Sequence, residues 1–281
     1  MTHTDKFLPD TQIEILNASI ERGHYHAALF DFDGTLSLIR QGWPQVMIPM
    51  MVDVLAEAPR AEPRQQLTEI VASFVMRLTG KQTIYQMVEL AEQVIRRGGT
   101  PRDPLEYKHQ YHGLLMEHIR HRREGLRSGQ IQPADMLVPG STEILTTLRD
   151  RGLMLYCASG TDRAFMHEEA ELLGIHEHFD GGLYGALDDY KRFSKAILIQ
   201  DIFRQHKLRG RELLAFGDGF VEIENTKDVG GTAVGVASDE ARRQGIDLWK
   251  RDRLIRAGAD IIIPHFRESR SLLKYLMETE P

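Results

Sequence analysis

A chain of 281 residues with 42% hydrophobic and 27% charged side chains is too long for one minimal domain and too apolar for a disordered polymer or a fibre; it suits a core domain with a smaller partner. Its formal charge of −6 speaks against general nucleic-acid binding, which draws on a basic excess. The single cysteine, Cys157, rules out an internal disulfide, and no apolar run approaches the ~18 residues that span a bilayer, so a reducing, cytoplasmic setting with no export signal and no membrane segment is expected.

Apolar residues at Ile13, Leu16 and Ile20, closed by Gly23, predict a short amphipathic helix over 11–22. Ala27 to Asp33 (AALFDFD) reads as a buried strand ended by a turn at Gly34. From about Leu38 to Met136 the periodicity is helical throughout. Met47, Met50, Met51, Val54 and Leu55 predict one helix, with Pro49 in its first turn or at a kink. Leu67, Ile70, Val71, Phe74, Val75 and Leu78 predict a second, and Ile84, Met87, Val88, Ala91, Val94 and Ile95 a third that Gly98-Gly99 stops. A fourth should run from about Pro104 to Arg127. After Pro139-Gly140, strand and helix alternate. A helix from Ser141 to Arg151 leads to the strand LMLYCAS, ending at Ser159; another helix over about 163–173 leads to a Gly-rich stretch, Gly181 to Gly185. Ser194 caps the next helix, and LLAFGD, TAVGVA and ADIIIPH supply three strands before a closing helix from Ser269 to Met277. This rhythm predicts an α/β fold: a doubly wound, mostly parallel sheet from residues 1–37 and 138–281, with an all-helical insertion over 38–137.

The ligand crevice of such a sheet lies beyond the carboxyl ends of its strands, and polar residues there carry the most weight. Asp31 and Asp33 are two apart on an extended segment, so both carboxylates can serve one small volume. One can attack phosphorus while the other moves a proton to the leaving oxygen. The same Asp-x-Asp-Gly pattern also occurs in calcium loops and ordinary turns. Ser159, followed by Gly160 and Thr161, offers a hydroxyl and backbone amides to phosphate oxygens, or simply caps a helix. Asp218 stands between glycines, a turn pattern, with Glu222 four residues on. Asp31, Asp33, Asp218 and Glu222 around an anionic substrate would need a cation, and Mg2+, which keeps waters and binds substrate phosphate, fits best. A lysine should hold the transferring group; Lys191 and Lys195 are the candidates.

Taken in order, DFDGT (Asp31 to Thr35), the strand-end Ser159, a lysine before a helix and GDGFVE (Gly217 to Glu222) resemble the four motifs of the haloacid dehalogenase superfamily, in its phosphatase branch. The resemblance covers residues 27–37 and 138–277 and implies a Rossmann-like core. It implies Asp31 as nucleophile and metal ligand, and Asp33 as general acid and base that also reaches the metal through its backbone carbonyl. Asp218 becomes a metal ligand, Glu222 a direct or water-mediated one, and Ser159 a phosphoryl ligand with Gly34, Thr35 and Gly160 around the phosphate. Lys195, which opens a helix at a family-like spacing before Asp218, is preferred over Lys191, although neither has the family's commoner Lys-Pro or Lys-Gly context. The acid at Asp33 sets the chain apart from the phosphonate-cleaving branch, and the insertion resembles, at greater length, the helical cap of the phosphoglycolate phosphatase and β-phosphoglucomutase group.

A cap excludes water and contributes substrate contacts. Arg40, Gln41 and Trp43 follow the first motif, and Thr79 to Gln82 make a polar break between helices where related caps touch substrate, so Arg40, Gln41, Trp43, Lys81 and Gln82 are the specificity candidates. The basic run HIRHRREGLR from His118 reads as a solvated helix face, with a positive rim for anionic substrates as its rival. His109, His112, His118 and His121 lack a cysteine or acidic partner that would complete a zinc site. The resemblance thus implies an Mg2+-dependent hydrolase of a small phosphomonoester, a phosphosugar or similar metabolite, working through an aspartyl phosphate. A sugar-phosphate phosphomutase and a non-catalytic phosphate-binding module are the competing readings.

Overall fold

The computed structural model describes residues 6–186 and 194–278. The chain enters through a two-residue strand, β1 (Glu14–Ile15), where a helix is predicted. Ile13, Leu16 and Ile20 satisfy helical spacing, but the backbone is claimed from outside: β1 pairs antiparallel with the last strand, and Leu16 and Asn17 both donate to the Asp260 carbonyl. Strand β2 (Ala27–Phe30) is buried throughout, as its apolar run requires.

Four helices follow: α1 (Pro44–Ala56), α2 (Arg64–Leu78), α3 (Thr83–Arg96) and α4 (Pro104–Ser128). Pro49 lies within α1, past its first turn. In α2 the buried set Leu67, Val71, Phe74, Val75 and Leu78 keeps the predicted spacing, whereas in α3 Leu90 is buried and Ile95 is exposed to 58%. Asp103 accepts from Leu105 N at the start of α4, Pro104 occupies its first turn, and Gly129 ends it at φ +77°.

The basic run in α4 is solvated as expected at His118, Arg120, His121 and Arg127, but not at Arg122 and Arg123. Arg122 donates to the Ile39 and Gln41 carbonyls at 2.8 and 2.7 Å, and Arg123 and Arg127 both pair with Glu168. Arg122 and Arg123 thereby fasten α4 to the segment after β2 and to α6 (Arg163–Leu172), while Arg120 pairs within its own helix at the surface.

The second half alternates as predicted: α5 (Ser141–Asp150), β3 (Met154–Asp162), α6 (Arg163–Leu172), β4 (Gly182–Ala186), α7 (Lys195–His206), β5 (Leu213–Gly217), α8 (Phe220–Asp228), β6 (Thr232–Val236), α9 (Leu248–Arg256), β7 (Ile261–Ile263) and α10 (Ser269–Met277). The Gly-rich stretch is thus a strand, and Ser141 donates to the Val138 carbonyl where a helix cap is expected. The sheet order is β1-β7-β6-β5-β2-β3-β4, parallel except for β1. The chain winds from β2 to β3 and β4 on one side and returns to β5, β6 and β7 on the other, so the topological switch falls at β2. One apolar cluster runs from Phe30 and Phe216 in the sheet through Phe32, Leu36 and Ile39 to Met51, Leu67 and Leu90 in the helices. Among the described residues no helix is long and apolar enough to cross a membrane.

Candidate active site

Register brings the acids together. Phe30 is level with Cys157 on β3 and with Phe216 on β5, so the chain beyond each strand end emerges at one rim: Asp31 after β2, Ser159 near the end of β3, Asp218 just past β5. Asp31 N donates to the Phe216 carbonyl at 2.9 Å, extending the ladder by one bond. Thr35, fully buried, ties two strand ends together, since its hydroxyl donates to Asp31 Oδ2 at 3.4 Å and accepts from Asp218 N at 2.9 Å. It supports the acids and does not face the cavity.

Lys195, at the first turn of α7, donates to Asp31 Oδ1 at 2.6 Å and forms an ion pair with Glu222, both partners being buried. Glu222 thus lies against the lysine, within α8 and behind the cavity lining. Lys191 lies outside the described residues. Burial pushes the Asp31 carboxyl up to about 7, and the charges of Asp218 and Asp33 push the same way, against Lys195.

Asp33 Oδ2 accepts from Ser159 Oγ at 3.1 Å and from Thr161 Oγ1 at 2.8 Å, and Thr161 N donates to Ser159 Oγ at 2.9 Å. Arg40 Nε stands 3.7 Å from Asp33 Oδ1 and is itself held by Glu169 of α6, to which its Nη2 donates at 2.8 Å. Burial alone would lower the Arg40 guanidinium; Glu169 and Asp33 outweigh it and raise it.

Asp218 meets a second lysine. Lys250 of α9 donates to Glu240 Oε1 and pairs with Asp218 Oδ2, both at 2.8 Å, and reaches Ser238 Oγ at 3.2 Å. Ser238 in turn donates to the Gly34 carbonyl at 2.6 Å. Gly34, at φ +75°, lets Asp218 come close: a Cβ there would lie 2.2 Å from Asp218 Oδ2.

The helices close the rim. A Cβ on Gly80 would be 3.3 Å from Gly219 Cα, and one on Gly160 would be 3.2 Å from the Lys81 carbonyl, so the loop between α2 and α3 lies directly on the motif loops. Beneath it a cavity of about 120 Å³ is lined by Asp31, Asp33, Gly34, Ser159, Gly160, Lys195 and Asp218 on the sheet side and by Arg40, Gln41, Trp43 and Lys81 above. Gln82 precedes α3 and is absent from that lining, as are Thr35 and Glu222. Thr83, Gln86 and Tyr111 line it unforeseen, as does Glu240. Gln86 and Tyr111 stand on helix faces whose apolar spacing marks them only as buried positions. Lys250 and Glu240 fall in a stretch with no pattern of its own.

Among the described residues no cluster of three or more His, Cys, Asp or Glu side chains is arranged around one point as a metal centre. The carboxylates meet ammonium groups instead. Their chemistry still fits a hard divalent ion: Asp31 and Asp218 are oxygen donors at neighbouring strand ends, close enough that Asp218 raises Asp31, beside the gap that Gly34 leaves open. Mg2+ in particular takes only one or two protein carboxylates and completes its shell with water and phosphate.

A doubly wound sheet with acids at its switch point and helices over them defines an α/β protein whose ligand crevice lies at the strand ends. The sequence profile of the haloacid dehalogenase-like hydrolases matches residues 25–230, and the chain belongs to that family. Among curated protein sequences none matches it. Among solved structures, a predicted phosphoglycolate phosphatase from Haemophilus somnus 129pt is 16% identical over 89% of this chain and 98% of its own, with a TM-score of 0.59. A β-phosphoglucomutase from Clostridium difficile is 13% identical over 89% of this chain and 97% of its own, TM-score 0.59. A HAD family hydrolase from Deinococcus radiodurans R1, crystallised with bound phosphate and sodium, is 19% identical over 92% of this chain and 100% of its own, TM-score 0.54. At these identities the likeness is one of fold.

Proposed function

We propose that the protein is an Mg2+-dependent phosphatase of a small phosphomonoester, with residues 38–137 as its cap and residues 1–37 and 138–281 as its core. The observation that carries this reading is Asp31: a buried carboxylate at the switch-point strand end, lining the cavity under the helices, with Lys195 on one oxygen and Thr35 on the other. Such a group would attack phosphorus and form an acyl phosphate, the bond to the leaving oxygen breaking as the new one forms. Lys195, steadied by Glu222, and Ser159 with the Gly160 amide would hold the phosphoryl oxygens. Asp33, braced by Ser159 and Thr161, would give a proton to the leaving oxygen and later take one from water.

Asp31 and Asp218 would hold the Mg2+, which when bound offsets charge on the acids and on the phosphate. Burial, with Asp218 and Asp33, pushes Asp31 up to about 7 even with Lys195 beside it; the further positive charge of a bound cation would keep it ionised and nucleophilic. A cavity of about 120 Å³ is well below the ~300–1,000 Å³ of pockets for drug-sized ligands, which favours a small metabolite. Arg40, Gln41, Trp43 and Lys81, with Gln86 and Tyr111, would read its non-reacting end. The lone, buried Cys157 accords with work in the cytoplasm.

The test is phosphate release from a broad panel of phosphorylated metabolites, with and without Mg2+. Release that needs Mg2+ and is lost in Asp31→Asn supports the reading. No release, together with no uptake of beryllium fluoride at Asp31, defeats it in favour of a non-catalytic module. Isomerised sugar phosphate with little free phosphate would instead mark a phosphomutase.

A further inference from the structure

The Lys250 ammonium sits in the acidic rim itself, 2.8 Å from Asp218 Oδ2 and 2.8 Å from Glu240 Oε1, with Ser238 Oγ at 3.2 Å. Its side chain is 11% exposed and those of Asp218 and Glu240 are 16% and 20% exposed, so little water screens the three charges. The proposed chemistry assigns the phosphoryl group to Lys195 and gives Lys250 no part. What Lys250 provides is a positive charge on the carboxylate that the Mg2+ reading assigns to the metal.

From this geometry we infer that Lys250 is a built-in counter-ion that competes with Mg2+ for Asp218 and sets the affinity of the site, with Glu240 receiving the ammonium when Asp218 turns to the metal. The inference rests on the Mg2+-dependent reading above. The acids of the rim repel one another, and a buried carboxylate left without a cation is costly. Lys250 meets that cost while no metal is bound. It also raises the threshold for metal entry, because a unit positive charge a few ångströms away opposes a divalent ion. Glu240 and Ser238 make an exchange feasible: both stay within reach of Nζ, so releasing Asp218 does not strand a buried ammonium. Lys250 is on this account a positioning residue, since it acts through Asp218 and touches neither substrate nor metal.

Isothermal titration calorimetry with Mg2+ alone tests this without turnover. Lys250→Met, which keeps the length of the side chain and drops its charge, should bind Mg2+ about tenfold more tightly than the native protein, the scale of one charge in a partly screened site. Lys250→Arg, which keeps the charge, should stay near native. Glu240→Gln should bind more weakly, because Lys250 then leans on Asp218 alone. A merely structural role would weaken binding in both neutral variants, whereas the competition moves them in opposite directions. Unchanged or weaker binding in Lys250→Met overturns the inference; if that variant fails to fold, unchanged or tighter binding in Glu240→Gln does so. Absence of Mg2+ binding in the native protein would defeat the metal reading itself, a result distinct from native binding that ignores Lys250.

Discussion

Arg253 donates to the Thr79 carbonyl at 2.8 Å, a bond from sheet-layer helix α9 to the cap. The same guanidinium donates to the carbonyls of Met76 and Arg77 and lies over the rings of Phe220 and Trp249, at 4.6 and 5.2 Å from their centroids. The last carbonyls of a helix lack partners within it, and they carry its negative dipole end. Arg253 supplies both the donors and the charge, and so pins the end of α2 and the loop that roofs the cavity.

Arg253→Ala should therefore loosen the roof while leaving the sheet intact. Hydrogen bonds to charged groups contribute about 1.5–3 kcal/mol each, and losing the set should lower kcat/KM by roughly tenfold or more. Amide hydrogen exchange over residues 76–82 should rise together with the kinetic loss. Unchanged exchange in that loop would count against Arg253 as its fastening.

Asp31→Asn separates activity from stability. Turnover should fall by at least about a thousandfold, as for removal of a covalent nucleophile. The melting temperature should hold or rise, because burial and the charges of Asp218 and Asp33 already disfavour the Asp31 carboxylate in the folded protein. A variant that loses both activity and several degrees of melting temperature would show Asp31 to be chiefly a structural partner of Lys195.

Gly34→Ala tests how tightly the rim is packed. At φ +75° an alanine is strained by about 1–2 kcal/mol. Its Cβ would also sit 2.2 Å from Asp218 Oδ2 and 3.1 Å from Glu240 Oε1, so Asp218 has to move. Both Mg2+ affinity and turnover should fall, with the calorimetric loss present even in the absence of substrate. Native Mg2+ affinity in this variant would contradict the placement of Asp218 at the cation.

The acids of the site were legible because each lies beside the strand that presents it: Asp31 follows AALF and Asp218 follows LLAFG, so a local pattern carries both position and chemistry. Lys195 is legible only as one of two lysines: its place after the capping Ser194 and the resemblance's spacing before Asp218 favour it, with Lys191 the alternative. Other features depend on partners far along the chain. Nothing near Lys250 or Glu240 announces Asp218, and Arg122 and Arg123 look as solvated as the rest of their run until the Ile39 carbonyl and Glu168 are brought against them. β1 imitates a helix because Ile13, Leu16 and Ile20 fit its spacing, while the pairing that decides the matter comes from Ile261 and Ile262. β4 hides for the opposite reason, since Gly182 and Gly185 break any apolar alternation in the strand.

His112 gives the fold a specific acid sensitivity. Its ring packs on Phe165 at 4.0 Å between centroids, and its Nε2 is buried without a hydrogen bond. Burial pushes its pKa down from 6.5 to about 4, with the positive charges of Arg40, Lys108 and Arg123 acting the same way and Asp162 against them. The folded value thus lies below the unfolded one, so on acidification the unfolded chain takes up a proton that the folded chain resists. The contribution is fully present above about pH 6.5 and is lost as pH falls toward 4. Urea unfolding from pH 7 to 4.5 should show stability declining more steeply in the native protein than in His112→Gln, which has no proton to gain. Parallel decline in the two proteins would place the acid sensitivity elsewhere, in the carboxylates of the rim.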